Sequence, residues 1–287
     1  MARRLVSLRQ LPVYIALATM VLLCLFPLYW SLVSSLKGQA ELYEATPSLI
    51  VRAPMLENYR VVLSLTGGNE IPLYLWNSLK IGLGAVLVQL VSASMAGYAF
   101  SRMQFRGRNL IFVSLVLVLF IPRVGGLMAT YELMDLLHLR NSHLGLVLLF
   151  PSSISVALFV MRQAFLSVPR ELEEAAMIDG ANTWRVFLRI ALPMVQGALV
   201  VISILMFLST WGDFLMTYTL LDEARLFTVS IAITQITGWS TRFASDVATT
   251  YGSDNAAFIL ASAPVVLAYV LAQKWFVRGL QEGIIKL

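Results

Sequence analysis

Apolar residues in this chain neither alternate with polar ones nor recur on a single helical face. They run on in blocks, and six blocks are long enough to cross a bilayer: Pro12–Leu36, Leu73–Phe100, Leu110–Met128, Leu144–Phe165, Met194–Leu220 and Ala256–Phe276. About 20 residues rising 1.5 Å each span the hydrocarbon. Lipid offers no partner to an open strand, so each block predicts a helix. The fold class expected is an all-α membrane protein with six transmembrane helices.

The segments between the blocks are uneven. Lys37–Ile71 is long, with Pro47, Pro54 and a turn at Thr66–Asn69, and predicts a partly structured outer segment. Ser101–Asn109 is short and basic, a tight hairpin. Arg225–Thr237 is too short and too polar to cross, so an external or re-entrant helix is expected. Gly238–Asn255 is polar and is expected outside. The chain divides into residues 1–71 (first helix and outer loop), 72–277 (transmembrane core) and 278–287 (tail).

Composition agrees: 59% of the residues are hydrophobic and only 13% charged, with mean hydropathy +0.79, far from a soluble balance. Arg3, Arg4 and Arg9 precede an apolar run that is too long for a cleaved signal sequence and is followed by no convincing cleavage site, so it reads as a retained first span. With both termini inside, thirteen Lys and Arg fall on inner segments and eight on the longer outer ones. That bias places both termini in the cytoplasm. The outer loops also hold most of the acids, among them Glu41, Glu44, Glu57 and Asp222. The net charge of +5 is therefore a topology signal, with no nucleic-acid footprint. Cys24 is the one cysteine, a packing residue in the first span.

The chemistry of an enzyme is missing. No G-x-x-x-x-G-K-[ST] occurs and none of the four lysines follows a glycine, so no P-loop forms. His138 and His143 have no metal spacing, and neither G-x-S-x-G nor H-E-x-x-H is present. The deepest charges are Lys80, which can snorkel, and Asp213, which follows Trp211-Gly212 where the span loosens. Such scarcity of buried carboxylates disfavours an ion-coupled carrier.

One polar stretch stands out: "VPRELEEAAMIDGANTWRVFLRIALP", Val168 to Pro193. Ser167 or Val168 can cap a helix with Pro169 in its first turn. Glu171, Glu173 and Glu174 suit the positive end of its dipole. Leu172, Ala175, Ala176 and Asp179 share one face, and Gly180 suits a left-handed end. Asn182 can cap a second helix, Thr183 to Ile190. The expected object is a rigid helix pair on two membrane helices, shaped for docking.

These residues carry a resemblance. Glu174-Ala175-Ala176, then Asp179-Gly180-Ala181, then Ile190-x-Leu192-Pro193 resemble the EAA motif of ABC importer permeases. "WNSLKIGLGAVLVQLVSASMAGYAFSRMQFRGR" (Trp76–Arg108) is similar to the start of the type I importer membrane domain. "APVVLAYVLAQKWFVRGLQEGIIK" (Ala263–Lys286) is similar to the tail of the second permease of maltose-type sugar importers. Departures are "GII" near the end and the polar insertion Gly238–Asn255, which leave the solute open.

The resemblance implies a type I ABC importer permease fold and a multi-pass subunit in the plasma membrane of a bacterium or archaeon. It implies a homologous second permease, two ATPase subunits and an external solute-binding protein as partners. ATP and Mg would bind the ATPase subunits and no cofactor this chain. Glu174, Ala175, Ala176, Asp179, Gly180, Ala181, Leu192 and Pro193 become the ATPase-coupling residues, with Gln281–Leu287 a second contact. Ser209, Thr210, Trp211, Asp213, Thr217 and Tyr218 offer a solute path in the outer half of the fifth span. The expected cargo is a sugar or oligosaccharide. The alternatives are glycerol phosphate or another small polar solute within the same superfamily, an ion-coupled transporter, and a membrane enzyme.

Overall fold

Without water to bond it, a backbone satisfies itself along its own helix, and the ordered elements among the described residues are all helical. The computed structural model describes residues 10–63, 71–121, 123–234 and 251–284, without the side chains of 123, 124, 272 and 275–284. The helices are α1 Leu11–Ser35, α2 Gln39–Leu42, α3 Glu57–Leu63, α4 Ile71–Arg102, α5 Arg108–Leu117, α6 Leu127–Leu136 and α7 His143–Leu149. They continue with α8 Ser155–Leu166, α9 Arg170–Ile178, α10 Thr183–Val186, α11 Leu192–Met194, α12 Gln196–Trp211, α13 Leu215–Leu220 and α14 Tyr251–Ile284. A short helical stretch also covers 229–234. The turn at Thr66–Asn69, Arg3, Arg4 and Arg9, most of Gly238–Asn255 and the last three residues lie outside the described residues.

Three helices are long and apolar enough to cross a membrane: Leu11–Ser35, Ile71–Arg102 and the part of α14 from Tyr251 to Leu271. The expected fourth span, Leu144–Phe165, is a pair, His143–Ser152 and Ser155–Leu166, bent by 56°. Thr183–Met194 and Gln196–Trp211 form a second pair, bent by 76°, and counting each pair once brings the total to five. The predicted third span is cut short: its helix runs only over Arg108–Phe120. Ile121 is extended (φ −86°, ψ 118°), as the residue before a proline prefers to be, and Pro122 follows it. The predicted fifth span likewise stops at Trp211, and α13 follows as a separate short helix. The last helix begins at Tyr251, five residues ahead of the predicted Ala256.

Two compact units divide the chain. One holds residues up to 71 together with 233–262. In it the segment after α1 is tied down by Asn58, whose Nδ2 donates to Ser35 O and Lys37 O at 2.9 Å each. Lys37 is 1% exposed; its ammonium donates to Ser48 O and lies 3.9 Å from Glu41. Gly252 fits against this hub because a Cβ there would sit 2.5 Å from Asn58 Nδ2 and 2.9 Å from Lys37 O.

The other unit, residues 72–232 and 263–287, is organised on α4. A Cβ on Gly97 would meet Met161 Cβ at 2.6 Å and Arg162 N at 3.1 Å, so only glycine lets α4 and α8 come this close. Around that approach Ala93, Tyr98, Met161, Phe165, Phe187, Ala191 and Ile202 form one buried cluster. Because Phe187 and Ala191 belong to it, the stretch after α9 is anchored in this hydrophobic core.

Candidate docking helix pair and solute path

Pro169 occupies the cap of α9 itself (φ −59°, ψ 130°), with no side chain accepting from the first turn. This differs from the expected Ser167 or Val168 cap. Ser167 Oγ instead donates back to Ala164 O at 2.8 Å, and Val168 O accepts from Arg102 Nη2 at 2.6 Å. The first turn of α9 carries Glu171 and Glu173, where the helix dipole favours carboxylates.

The far end of α9 is closed by two bonds, Gly180 N to Met177 O (3.0 Å) and Ala181 N to Ala176 O (2.9 Å). Paired bonds of this kind stop a helix when the residue after the cap is left-handed. Gly180 has φ +85°, and no atom lies within 4 Å of where its Cβ would be, so conformation and not crowding requires glycine. Asn182 then caps α10, its Oδ1 accepting from Arg185 N at 2.8 Å. After Val186 the helix widens to a π turn over Phe187–Ala191. Pro193 has no N–H to return to Arg189 O, which makes the wider turn affordable there.

Glu173 does not face water. It is 4% exposed, accepts from Arg102 Nε at 2.7 Å and accepts from Tyr98 OH at 3.1 Å. Arg102 is the last residue of α4, so one guanidinium holds both the start of α9 and the Val168 carbonyl before it. Beneath the pair, Tyr98 packs on Phe165 (5.4 Å between centroids) and on Phe187 (5.0 Å). Glu173 was not legible as a site residue, because its partners are 71 and 75 residues away.

The opposite face points outward. Glu174, Ala175, Asp179 and Gly180 are exposed, with Ala176 and Ala181 half-buried. Ile178 is 86% exposed and Trp184 55%, with Leu172 and Met177 also exposed. Further on, Leu192 is half-buried and Pro193 exposed. Large apolar side chains exposed together among polar ones are the kind of surface that suits contact with a partner. A cleft of about 290 Å³ lies behind it, lined by Arg102, Met103, Glu173, Glu174, Met177 and Thr183 among others.

The residues expected to line a solute path differ in exposure. Ser209 and Tyr218 are exposed, Asp213 is half-buried, and Thr210, Trp211 and Thr217 are buried. Asp213 Oδ1 accepts from Met216 N (3.0 Å) and Thr217 N (3.1 Å), closing the first turn of α13. Thr217 Oγ1 donates to Asp213 O at 2.8 Å. Lys80 is exposed, and His143 Nε2 donates to Leu226 O at 2.9 Å. Among the described residues no group of three His, Cys, Asp or Glu could hold a metal. Of Gln281–Leu287 the structure describes only the backbone to Ile284, so that contact lies outside the described side chains.

Comparison with known proteins covers most of the chain. Residues 89–282 match the family described as binding-protein-dependent transport system inner membrane component. The arabinooligosaccharides transport system permease protein AraQ of Bacillus subtilis is 30% identical over 92% of this chain and 92% of its own. The maltose/maltodextrin transport system permease protein MalG of Vibrio parahaemolyticus is 30% identical over 95% of this chain and 94% of its own. The sn-glycerol-3-phosphate transport system permease protein UgpE of Pectobacterium atrosepticum is 32% identical over 94% of this chain and 95% of its own. The fold matches a chain of a bacterial ABC transporter involved in the import of the acidic polysaccharide alginate, with TM-score 0.82, 19% identity and coverage of 96% of this chain and 100% of that one.

Proposed function

The chain belongs to the binding-protein-dependent transport system inner membrane component family, and we propose that it is one of two permease subunits through which an ATP-driven importer passes a sugar or oligosaccharide. It is a membrane transport component and not itself an enzyme. We infer six crossings with both termini cytoplasmic, on the strength of the Lys and Arg distribution. On that topology α9 and α10 stand in the cytoplasm.

The observation that carries the coupling role is the two-sided build of α9. One side is fastened to α4 through Glu173 and Arg102, and the other presents Glu174, Ala175 and Ile178 outward, with Trp184 of α10 exposed beyond them. A partner ATPase that grips the outer side moves α4 and the Tyr98–Phe187 contact with it. Closure of two such ATPases on ATP would then rock the membrane helices as bodies, the motion alternating access requires. Solute enters from an external binding protein, and the second permease completes the path.

The sugar assignment draws support from the sugar and oligosaccharide systems named for two of the relatives. The glycerol phosphate relative keeps a second cargo in play. Co-purifying the external binding protein and screening it against sugars, oligosaccharides and glycerol phosphate decides between them: a sugar shift supports the assignment, and a shift with glycerol phosphate alone overturns it.

A further inference from the structure

Residues 103–107 join α4 to α5, and both helices are apolar. A polar link this short between two such helices sits where hydrocarbon meets water, because its open backbone finds no partner inside the bilayer. Gly107 turns the chain at φ +82°, and α5 begins at Arg108. From Ser101 to Phe120 there is no Asp or Glu, while Arg102, Arg106 and Arg108 all fall there. The link is a cationic corner.

Most of that charge is not used up inside the chain. Arg102 is paired with Glu173, but Arg106, Arg108 and Arg162 form no ion pair among the described residues. Arg108 folds back over the link, its Nη1 donating to Met103 O at 3.2 Å. Arg162 reaches the corner from α8: its Nε donates to Phe100 O at 3.4 Å and its guanidinium lies 4.4 Å from the Phe112 ring centroid. Phe100 packs in turn on Phe105 of the link, 5.5 Å between centroids. A hollow of about 380 Å³ opens here, lined by Gln104, Phe105, Gly107, Arg108, Asn109 and Leu110. Gln104 and Asn109 are exposed, so their amide N–H groups are open to donate, as is the rest of the Arg108 guanidinium. Beside these donors Leu110 is 74% exposed, and Met103 and Phe105 are exposed too.

We propose that this hollow binds the phosphodiester of an anionic phospholipid, of the phosphatidylglycerol class, in the leaflet that the link faces. The Arg108 fork matches phosphate oxygens, Gln104 and Asn109 donate beside it, and the acyl chains lie along the exposed α5 residues Leu110, Val113 and Leu117. Basic pockets at the cytoplasmic end of membrane helices take anionic headgroups in this way. A zwitterionic headgroup brings its own ammonium, which Arg106 and Arg162 repel. A soluble phosphate matches the donors but leaves the apolar rim in water. The site requires only that the chain lie in a membrane, whatever solute it passes.

The test uses the assembled complex, freed of its other cysteines, with Cys24→Ser and a fluorophore on Val113→Cys. It is reconstituted in lipid nanodiscs, where phosphatidylglycerol or phosphatidylcholine with brominated acyl chains quenches the fluorophore from nearby. Brominated phosphatidylglycerol should half-quench at a mole fraction about fivefold or more below that of phosphatidylcholine, and Arg108→Gln should bring the two within twofold. Arg52→Gln, at an exposed guanidinium already paired with Glu44, should keep the preference. If Arg108→Gln does not assemble, Gln104→Glu, which sets a carboxylate in the hollow, should abolish the preference in its place. Equal quenching by the two lipids in the wild type, or a preference that survives both variants, overturns the site. Release of the quenching by millimolar inorganic phosphate or sn-glycerol-3-phosphate shows a soluble phosphate site and overturns the lipid assignment. Loss of the ATPase subunits from Arg108→Gln with the lipid preference intact makes the link a protein contact and overturns it as well. Failure of ATP-driven uptake in the wild type bears on the importer reading alone and leaves the lipid site standing.

Discussion

Arg102 Nε lies 2.7 Å from Glu173 Oε1, with both side chains under a tenth exposed. The pair joins the end of α4 to the first turn of α9, and the same guanidinium holds Val168 O. Breaking a buried pair from one side leaves a charge without compensation, at a cost of about 3–5 kcal/mol. Arg102→Met should therefore lower the thermal stability of the purified complex and abolish solute-stimulated ATP hydrolysis. Arg102→Met with Glu173→Met should recover a good part of the stability. A double variant as damaged as the sum of the two singles would show that the residues act independently.

Gly180 is required for its φ of +85° and not for space. Placing a Cβ in that region costs about 1–2 kcal/mol, more for a β-branched residue. Gly180→Asn should be tolerated, Gly180→Ala should weaken ATPase retention modestly, and Gly180→Val should weaken it most. Pull-down of the ATPase subunits by each variant ranks them. Equal retention by Asn and Val would remove the left-handed turn from the account.

Gly97 is the reverse case, a question of space alone. A methyl group there would press on Met161 Cβ at 2.6 Å and the Arg162 backbone at 3.1 Å. Gly97→Ala should push α4 from α8 and destabilise the detergent-solubilised protein by about 1–3 kcal/mol. An unchanged melting temperature would contradict the close approach.

The topology is open to single cysteines in a Cys24→Ser background. Asn182→Cys should react only with reagents on the cytoplasmic side, and Arg52→Cys only from outside. Both positions are exposed. External labelling at 182 would invert the assignment.

The helix pair was legible in the sequence because its signals are local. The glycine stop, the Asn182 cap and the two charged turns each work within four residues. Glu173 was not, since its burial depends on Arg102 and Tyr98 on another helix. Hydropathy located the apolar blocks but not their bends, because a window average does not register Pro151 or Pro122 inside an apolar run. The capping role of Asp213 was not legible for a similar reason: a carboxylate that closes its own next turn carries no separate mark in the sequence.

Energy source is the point on which the account turns. Uptake of sugar should be measured in vesicles holding the whole complex, with and without ATP inside, with and without a protonophore, for the wild type and Glu174→Lys. Glu174 is exposed on α9, and if the proposed docking face meets a basic partner, reversing its charge should repel what a carboxylate would attract. Wild-type uptake should require internal ATP and the external binding protein, persist after the proton gradient collapses, and vanish in Glu174→Lys. Uptake that proceeds without ATP and stops with the protonophore would contradict the importer reading outright.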